Sequence, residues 1–195
     1  LGLLGINIGP NKDTEDKLSD YIKGLKNFHE VADYITINIS SPNTEDLRSF
    51  QNQTKLNELL KNINKDKKKL NSKIPIAVKV SPDISDNEIS QISEVLLSNN
   101  IEAIIVSNTS DSTRENLSNI QKHQKGGLSG KPIEVKSIKL INKFYRILNG
   151  KIKIIGVGGV DSGKSAYEKF LAGAEYVQLY TGMVFRGPNI VNMIK

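Results

Sequence analysis

Ile37-Asn38-Ile39-Ser40-Ser41-Pro42-Asn43-Thr44 joins a β-branched, apolar run to a polar loop. Pro42 ends the strand, because proline has no ladder donor and a fixed φ. One possible nucleophile or base, two amides and two further hydroxyls are therefore delivered together at a strand end. The same arrangement recurs along the chain.

Outward from this segment, strands and helices alternate. Leu3 to Ile8 reads as a short buried strand stopped by Gly9-Pro10-Asn11, and Thr14 to Phe28 as a helix with Asp13 or Thr14 as its cap. Ala32 to Ile39 is the second strand, followed after a polar loop by a helix from Gln53 to Asn64. Ile74 to Val80 is a strand closed by Ser81-Pro82-Asp83, and Asp86 to Ser98 is a helix. Ala103 to Val106 ends at Ser107-Asn108-Thr109, and residues 110 to 127 form a long polar loop, which is functional or disordered at such a length. A helix from Ile133 to Leu148 leads to a strand opened by Lys153 to Ile155 and broken at Gly156-Val157-Gly158-Gly159. Ser162 to Ala172 is helical, Tyr176 to Leu179 is a strand, and a last helix begins at Asn189. Strict alternation over six strands argues for a parallel α/β sheet in one domain, residues 1–195, with no linker. Two architectures fit: an open doubly wound sheet, or an eight-stranded (β/α)8 TIM barrel of which about six βα units are present.

Composition excludes several chemistries. With no cysteine there is no disulfide or thiolate, and two histidines make a zinc site a poor reading. His29 and His123 have no evident partner and read as structural or surface residues. No apolar run approaches the roughly 20 residues needed to span a bilayer. The net charge of +6 is read as lysine-rich solvated surface, including Lys65-Asp66-Lys67-Lys68-Lys69 at a helix end. Nucleic-acid binding is not expected: Trp is absent, and Phe and Tyr mostly fall in apolar patterns.

The polar residues instead gather after successive strands: Asn7, then Asn38 with Ser41 and Asn43, then Lys79, Ser107-Asn108-Thr109, Gly158-Gly159 and Tyr180-Thr181. One amide at a strand end can simply close a turn; six strands ending this way suggest a shared face. Lys79 lies inside Ile76-Ala77-Val78-Lys79-Val80, where a charge needs an anionic partner or an escape of its head to solvent. Gly156-x-Gly158-Gly159 and the following helix start at Asp161-Ser162-Gly163 suit a phosphate, although glycines also serve turns.

Taken in order, Gly5-Ile6-Asn7-Ile8-Gly9, Asn38 to Thr44, Val78-Lys79-Val80-Ser81-Pro82-Asp83, Ser107-Asn108-Thr109, Gly126-Gly127-Leu128-Ser129-Gly130-Lys131-Pro132, Ile155 to Val160 and Gln178-Leu179-Tyr180-Thr181 resemble the class 2, quinone-linked dihydroorotate dehydrogenases. The resemblance implies an incomplete (β/α)8 barrel that binds FMN and oxidises dihydroorotate to orotate in pyrimidine synthesis. It makes Ser41 the catalytic base at C5, with water or Thr44 as its proton path. Asn38, Asn43, Asn108 and Thr109 would bind substrate. Asn7, Asn38, Lys79, Ser107, Gly130, Gly159, Tyr180 and Thr181 would bind FMN. Ser107 stands where many members have threonine, and Pro10 where a basic residue is common.

Class 1 members resemble the same pattern but carry a cysteine as base, and tRNA-dihydrouridine synthases generally use a cysteine acid; a chain without cysteine favours class 2 and leaves these FMN barrels as the alternative enzyme reading. A non-catalytic barrel binding a phosphate ligand is the alternative outside the enzymes. The resemblance further implies a quinone acceptor and peripheral attachment to a bacterial or mitochondrial inner membrane through an N-terminal element ahead of Leu1. With that element, two barrel units and a final helix outside the sequence, the 195-residue polypeptide by itself is expected to be inactive or poorly folded.

Overall fold

Six strands pair side by side in chain order, all parallel: β1 (Gly5–Ile8), β2 (Tyr34–Asn38), β3 (Ile76–Val80), β4 (Ala103–Val106), β5 (Lys153–Val157) and β6 (Tyr176–Gln178). This is a computed structural model describing residues 2–44, 46–112, 114–115 and 117–195. A doubly wound sheet reverses its strand order at a switch point. The order here never reverses, so the two architectures are distinguished: the chain is an incomplete barrel.

The sheet is strongly curled. Gln178 Nε2 on β6 donates to the Tyr34 hydroxyl on β2 at 3.2 Å. Those strands are four spacings apart, about 19 Å across a flat sheet. Register then divides the side chains. Asn38, Lys79, Ile105, Ile155 and Tyr176 are successive partners and share the concave face. On the convex face Ile35, Ile37, Ile76, Val78, Val80, Ile104, Val106 and Ile154 form one apolar cluster with the surrounding helices. Burial of this face is the main stabilising term, at roughly 1.5–3 kcal/mol per large aliphatic side chain.

The helices are α1 (Lys17–Phe28), α2 (Gln53–Lys69), α3 (Asp86–Ser98), α4 (Glu134–Leu148), α5 (Gly163–Leu171), α6 (Thr181–Arg186) and α7 (Ile190–Ile194). Ser85 and Glu88 form a capping box that fixes the start of α3. Ser162 caps α5 in the same way with Ser165.

Several sequence expectations shift. Leu3 and Leu4 are 80% and 52% exposed, so the first strand begins only at Gly5. The cap of α1 is Asp16, whose carboxylate accepts from the Ser19 N–H, not Asp13 or Thr14. Helix α2 runs five residues past Asn64, because lysine is a good helix former and three lysines suit the negative end of the dipole. Gly156 lies inside β5, not at its end; a Cβ there would sit 3.0–3.2 Å from Ile141, Lys169 and Ala174. Helix α6 was not expected at all. His29 occupies the C-cap position of α1, its N–H bonded to the Leu25 carbonyl. The aromatics are less buried than their apolar patterns suggest: Tyr180 and Phe185 are 81% and 84% exposed.

Lys169 is a buried lysine the sequence did not flag. It is fully buried on α5, and burial pushes its ammonium down to about 8. Nζ donates to Ser137 Oγ at 3.0 Å, and that hydroxyl donates to the Val157 carbonyl at 2.6 Å. The Ser107 N–H reaches the same carbonyl at 3.2 Å. The end of β5 is thus tied to the loop after β4.

Candidate active site

The predicted site residues lie on the strands, on the loops at their C-terminal ends or, for Thr181, at the start of α6, the face where barrel sites are built. The β2 segment sets the geometry. Asn38 ends on the concave face, and its carbonyl accepts from the Tyr21 hydroxyl at 2.6 Å. Burial pushes that phenol up, so it stays a donor. The Asn38 side-chain oxygen accepts from Ser40 N–H at 3.2 Å, Ser40 Oγ at 2.9 Å and Asn108 Nδ2 at 3.4 Å. Asn108 Nδ2 also reaches Ser40 Oγ at 3.0 Å, and its oxygen accepts from the Thr109 N–H at 2.8 Å. With that oxygen occupied, the amide donors of Asn38 have no partner among the described residues and remain for a ligand.

Ser40, fully buried, is therefore the hub joining the β2 and β4 motifs, and sequence reasoning passed over it. Ser41 next to it is half-buried, and its Oγ accepts the Asn43 N–H at 3.2 Å. That bond favours negative charge on the oxygen and leaves the hydroxyl proton free to move. Thr109 is pressed by Gly127, where a Cβ would lie 1.7 Å from Thr109 Oγ1 and 3.3 Å from Pro42. The Ser41–Asn43 turn, Gly127 and Thr109 thus form one wall. Asn43 itself points outward and makes no side-chain bond among the described residues.

Lys79 faces inward beside Asn38, partly buried, with no hydrogen bond or ion pair among the described residues. Burial lowers its pKa. An inward lysine without a carboxylate beside it is placed where it can pair with an anion. It lines a pocket of about 320 Å³ together with Ser107, Asn108, Thr109, Gly130, Gly159, Tyr180 and Thr181, so most of the predicted residues converge. Asn38 borders that pocket through its bond with Asn108, whereas Ser41 and Asn43 do not line it; of their segment, Pro42 lies near Gly127 beside Thr109. Asn7, exposed on β1 and paired with Thr36, is not brought into it.

The far corner is shaped by glycines. Gly130 and Gly159 have φ of +74° and +79°, against Thr181 and Glu134 respectively. Thr181 Oγ1 donates to Ser129 Oγ at 2.9 Å, docking α6 on the β4–α4 loop. A Cβ on Gly159 would stand 2.4 Å from Glu134 Cβ and 2.8 Å from its Cα. Gly159→Ala is accordingly expected to cost about 2 kcal/mol or more, from backbone strain and overpacking together. Urea unfolding of the intact protein checks this; an unchanged midpoint would show that the corner simply relaxes.

Parallel βα units in chain order, with polar and glycine-rich loops at the strand ends, define a βα-barrel protein with a ligand site on its C-terminal face. The sequence matches the family described as Dihydroorotate dehydrogenase over residues 2–195, and the chain belongs to that family. A dihydroorotate dehydrogenase (quinone) of Bartonella tribocorum is 46% identical over 195 residues, covering 97% of this chain and 54% of that protein. The mitochondrial dihydroorotate dehydrogenase (quinone) of Arabidopsis thaliana is 41% identical over 199 residues, covering 100% of this chain and 43% of that protein. The Eimeria tenella DHODH crystallised with ferulenol superposes with a TM-score of 0.95 at 34% identity, covering 98% of this chain and 56% of that one. The chain spans about half the length of the curated relatives it matches.

Proposed function

We propose that this chain carries the base and most of the flavin contacts of a quinone-linked dihydroorotate dehydrogenase, which oxidises dihydroorotate to orotate in pyrimidine synthesis. The observation that carries the reading is the Asn38–Ser40–Asn108 network, which joins the loop bearing Ser41 to a pocket lined by an inward Lys79 that has no partner among the described residues. The residues fit FMN. Lys79 supplies a cation at the concave face, and Gly130, Gly159 and Thr181 line the far corner of the same pocket. Lys79, Ser107, Gly130, Gly159, Tyr180 and Thr181 would hold it, with Asn38 from β2; Asn7, outside the pocket on β1, shares only their concave face.

Bound there, FMN supplies the hydride acceptor. The chain's own residues do the rest. Asn38, Asn43, Asn108 and Thr109 read a flat ligand rich in hydrogen-bonding edges, a task suited to neutral amides and hydroxyls. Ser41 Oγ takes the C5 proton while its own hydroxyl proton passes to water or Thr44, the Asn43 N–H stabilising the negative charge that develops on the oxygen. Serine in this role, with no cysteine in the chain, supports the quinone-linked class, as do the names of the relatives. In this reading residues 1–195 are part of a single FMN-binding (β/α)8 barrel domain. Peripheral membrane contact goes with the quinone acceptor; among the described residues no helix is long and apolar enough to cross a membrane.

The test uses the intact protein. Its visible flavin bands should bleach anaerobically with dihydroorotate and return on adding a short-chain quinone, but not fumarate. A protein without flavin, or with flavin that dihydroorotate leaves oxidised, would sink the proposal.

A further inference from the structure

One polar constellation on the rim belongs to none of the roles above. Arg48 lies on the 3-10 turn Leu47–Gln51 between β2 and α2. Its Nε donates to the Ser40 carbonyl at 3.4 Å and its Nη2 to the Thr109 carbonyl at 3.4 Å. Nη1 pairs with Asp111 at 2.7 Å and with Asp83 at 3.4 Å. A single guanidinium thus holds the backbone immediately before Ser41 and the backbone of the substrate-reading loop.

Asp83, on the β3–α3 loop, seats that guanidinium. Its side chain is only 9% exposed. It accepts from Ser110 Oγ at 2.6 Å, Ser112 Oγ at 2.6 Å and the Asp111 N–H at 3.0 Å, and it is paired with Lys136. Burial alone would raise this carboxyl, but hydrogen bonds from Lys136, the two serines and the Asp111 N–H outweigh it and hold it well below the usual range. The other end of the 3-10 turn is tied down as well: Gln51 Oε1 accepts the Ser81 N–H at 2.7 Å, buried from solvent. Loops after β2, β3 and β4 are locked into one frame, with Arg48 as the member common to the base loop and the reading loop.

We propose that Arg48, seated by Asp83, is a positioning residue for proton abstraction, holding the Ser40 and Thr109 carbonyls in one frame so that Ser41 meets the ligand edge read by Asn108 and Thr109. The proposal rests on the function proposed above. Arginine is required because two carbonyls and two carboxylates lie in different directions around one planar fork, which the single point of a lysine ammonium cannot reach at once. The clamp touches the loops' backbone and contributes no group to the flavin corner. Its loss acts on orientation, where an error of about 1 Å costs on the order of 100-fold in rate.

The test compares Arg48→Lys, Asp83→Asn and Asp111→Asn in the intact protein. Asp111 is half-exposed, so its variant removes one arm of the clamp without leaving a buried charge, should the other two fail to fold. Flavin content, and reoxidation by quinone after dithionite reduction, are expected to match the wild type. The first-order rate of flavin reduction at saturating dihydroorotate, per bound flavin, is expected to fall about 10- to 100-fold for Arg48→Lys and Asp83→Asn, and less for Asp111→Asn. A larger isotope effect with C5-deuterated substrate should accompany the loss, because proton abstraction becomes the slower event. A purely structural role would change how much holoenzyme forms, not its rate constant. Unchanged per-flavin rates in folded variants, with a responsive wild type, would overturn the clamp alone. A wild type that dihydroorotate cannot reduce overturns the proposed function and the clamp with it.

Discussion

Alanine at position 41 is expected to leave the protein loaded with flavin and to slow flavin reduction by dihydroorotate about 10²- to 10⁴-fold, the range for removal of a positioned base. Ser41 Oγ has a single protein partner among the described residues, the Asn43 N–H, and lies outside the pocket formed by Lys79, Gly130, Gly159 and Thr181. Removing the hydroxyl therefore takes away the proton acceptor while touching no group that holds the cofactor. A stopped-flow comparison at saturating substrate separates the two. Wild-type reduction rates in Ser41→Ala would remove this residue from the base role. Serine is a weak base at its own pKa, so the rate should rise with pH. Cysteine at the same position, more acidic by several units, should shift that rise downward.

Methionine in place of Lys79 is expected to act in opposite directions on the empty and the loaded protein. The side chain fills similar space without the charge. In the ligand-free protein the ammonium is partly buried with no counter-ion among the described residues, and burial lowers its pKa. A lysine whose pKa is lower folded than unfolded opposes folding while protonated. That penalty fades as pH rises through the folded pKa. Lys79→Met removes the penalty, so the flavin-free protein should melt higher at neutral pH and lose this component of its pH dependence. Flavin binding should weaken by 100-fold or more, since breaking a buried charge pair costs about 3–5 kcal/mol. Fluorescence titration with FMN, alongside thermal unfolding of the stripped protein, reads both. Unchanged flavin affinity would show that Lys79 serves only the concave packing.

How much of this was legible depends on where each signal lies. Strand β4 and helix α3 fall where the pattern places them, because a β-branched run and a capping box are local signals. Lys79 stands out because a charge inside Ile-Ala-Val-Lys-Val needs either an anionic partner or an escape of its head to solvent. Lys169, the more deeply buried lysine, did not: on α5 it follows Glu168 and Lys164 and reads as solvated surface until the sheet packs over it. Helix α6 was missed because Tyr180 sits at its N-cap without a side-chain cap and its six residues show no full period. The clamp and the Ser40 hub were out of reach for another reason. Ser40 meets Asn108 across 68 positions, and Arg48 meets Asp111 across 63. Such partners become neighbours only once strand order is known.

Strand order has a kinetic consequence. Because β1 to β6 pair strictly with their sequence neighbours, each strand finds its partner across a single helical crossover. The entropy of closing each such loop is modest and nearly the same for every addition. A chain of this kind grows unit by unit in the direction of synthesis, each βα pair docking on an edge already made, with no strand waiting for a distant partner. The Tyr34–Gln178 bond spans 144 residues and stands outside that scheme. It forms only when β6 is in place, so the curl that gathers the site's loops is the last feature of the sheet to be secured.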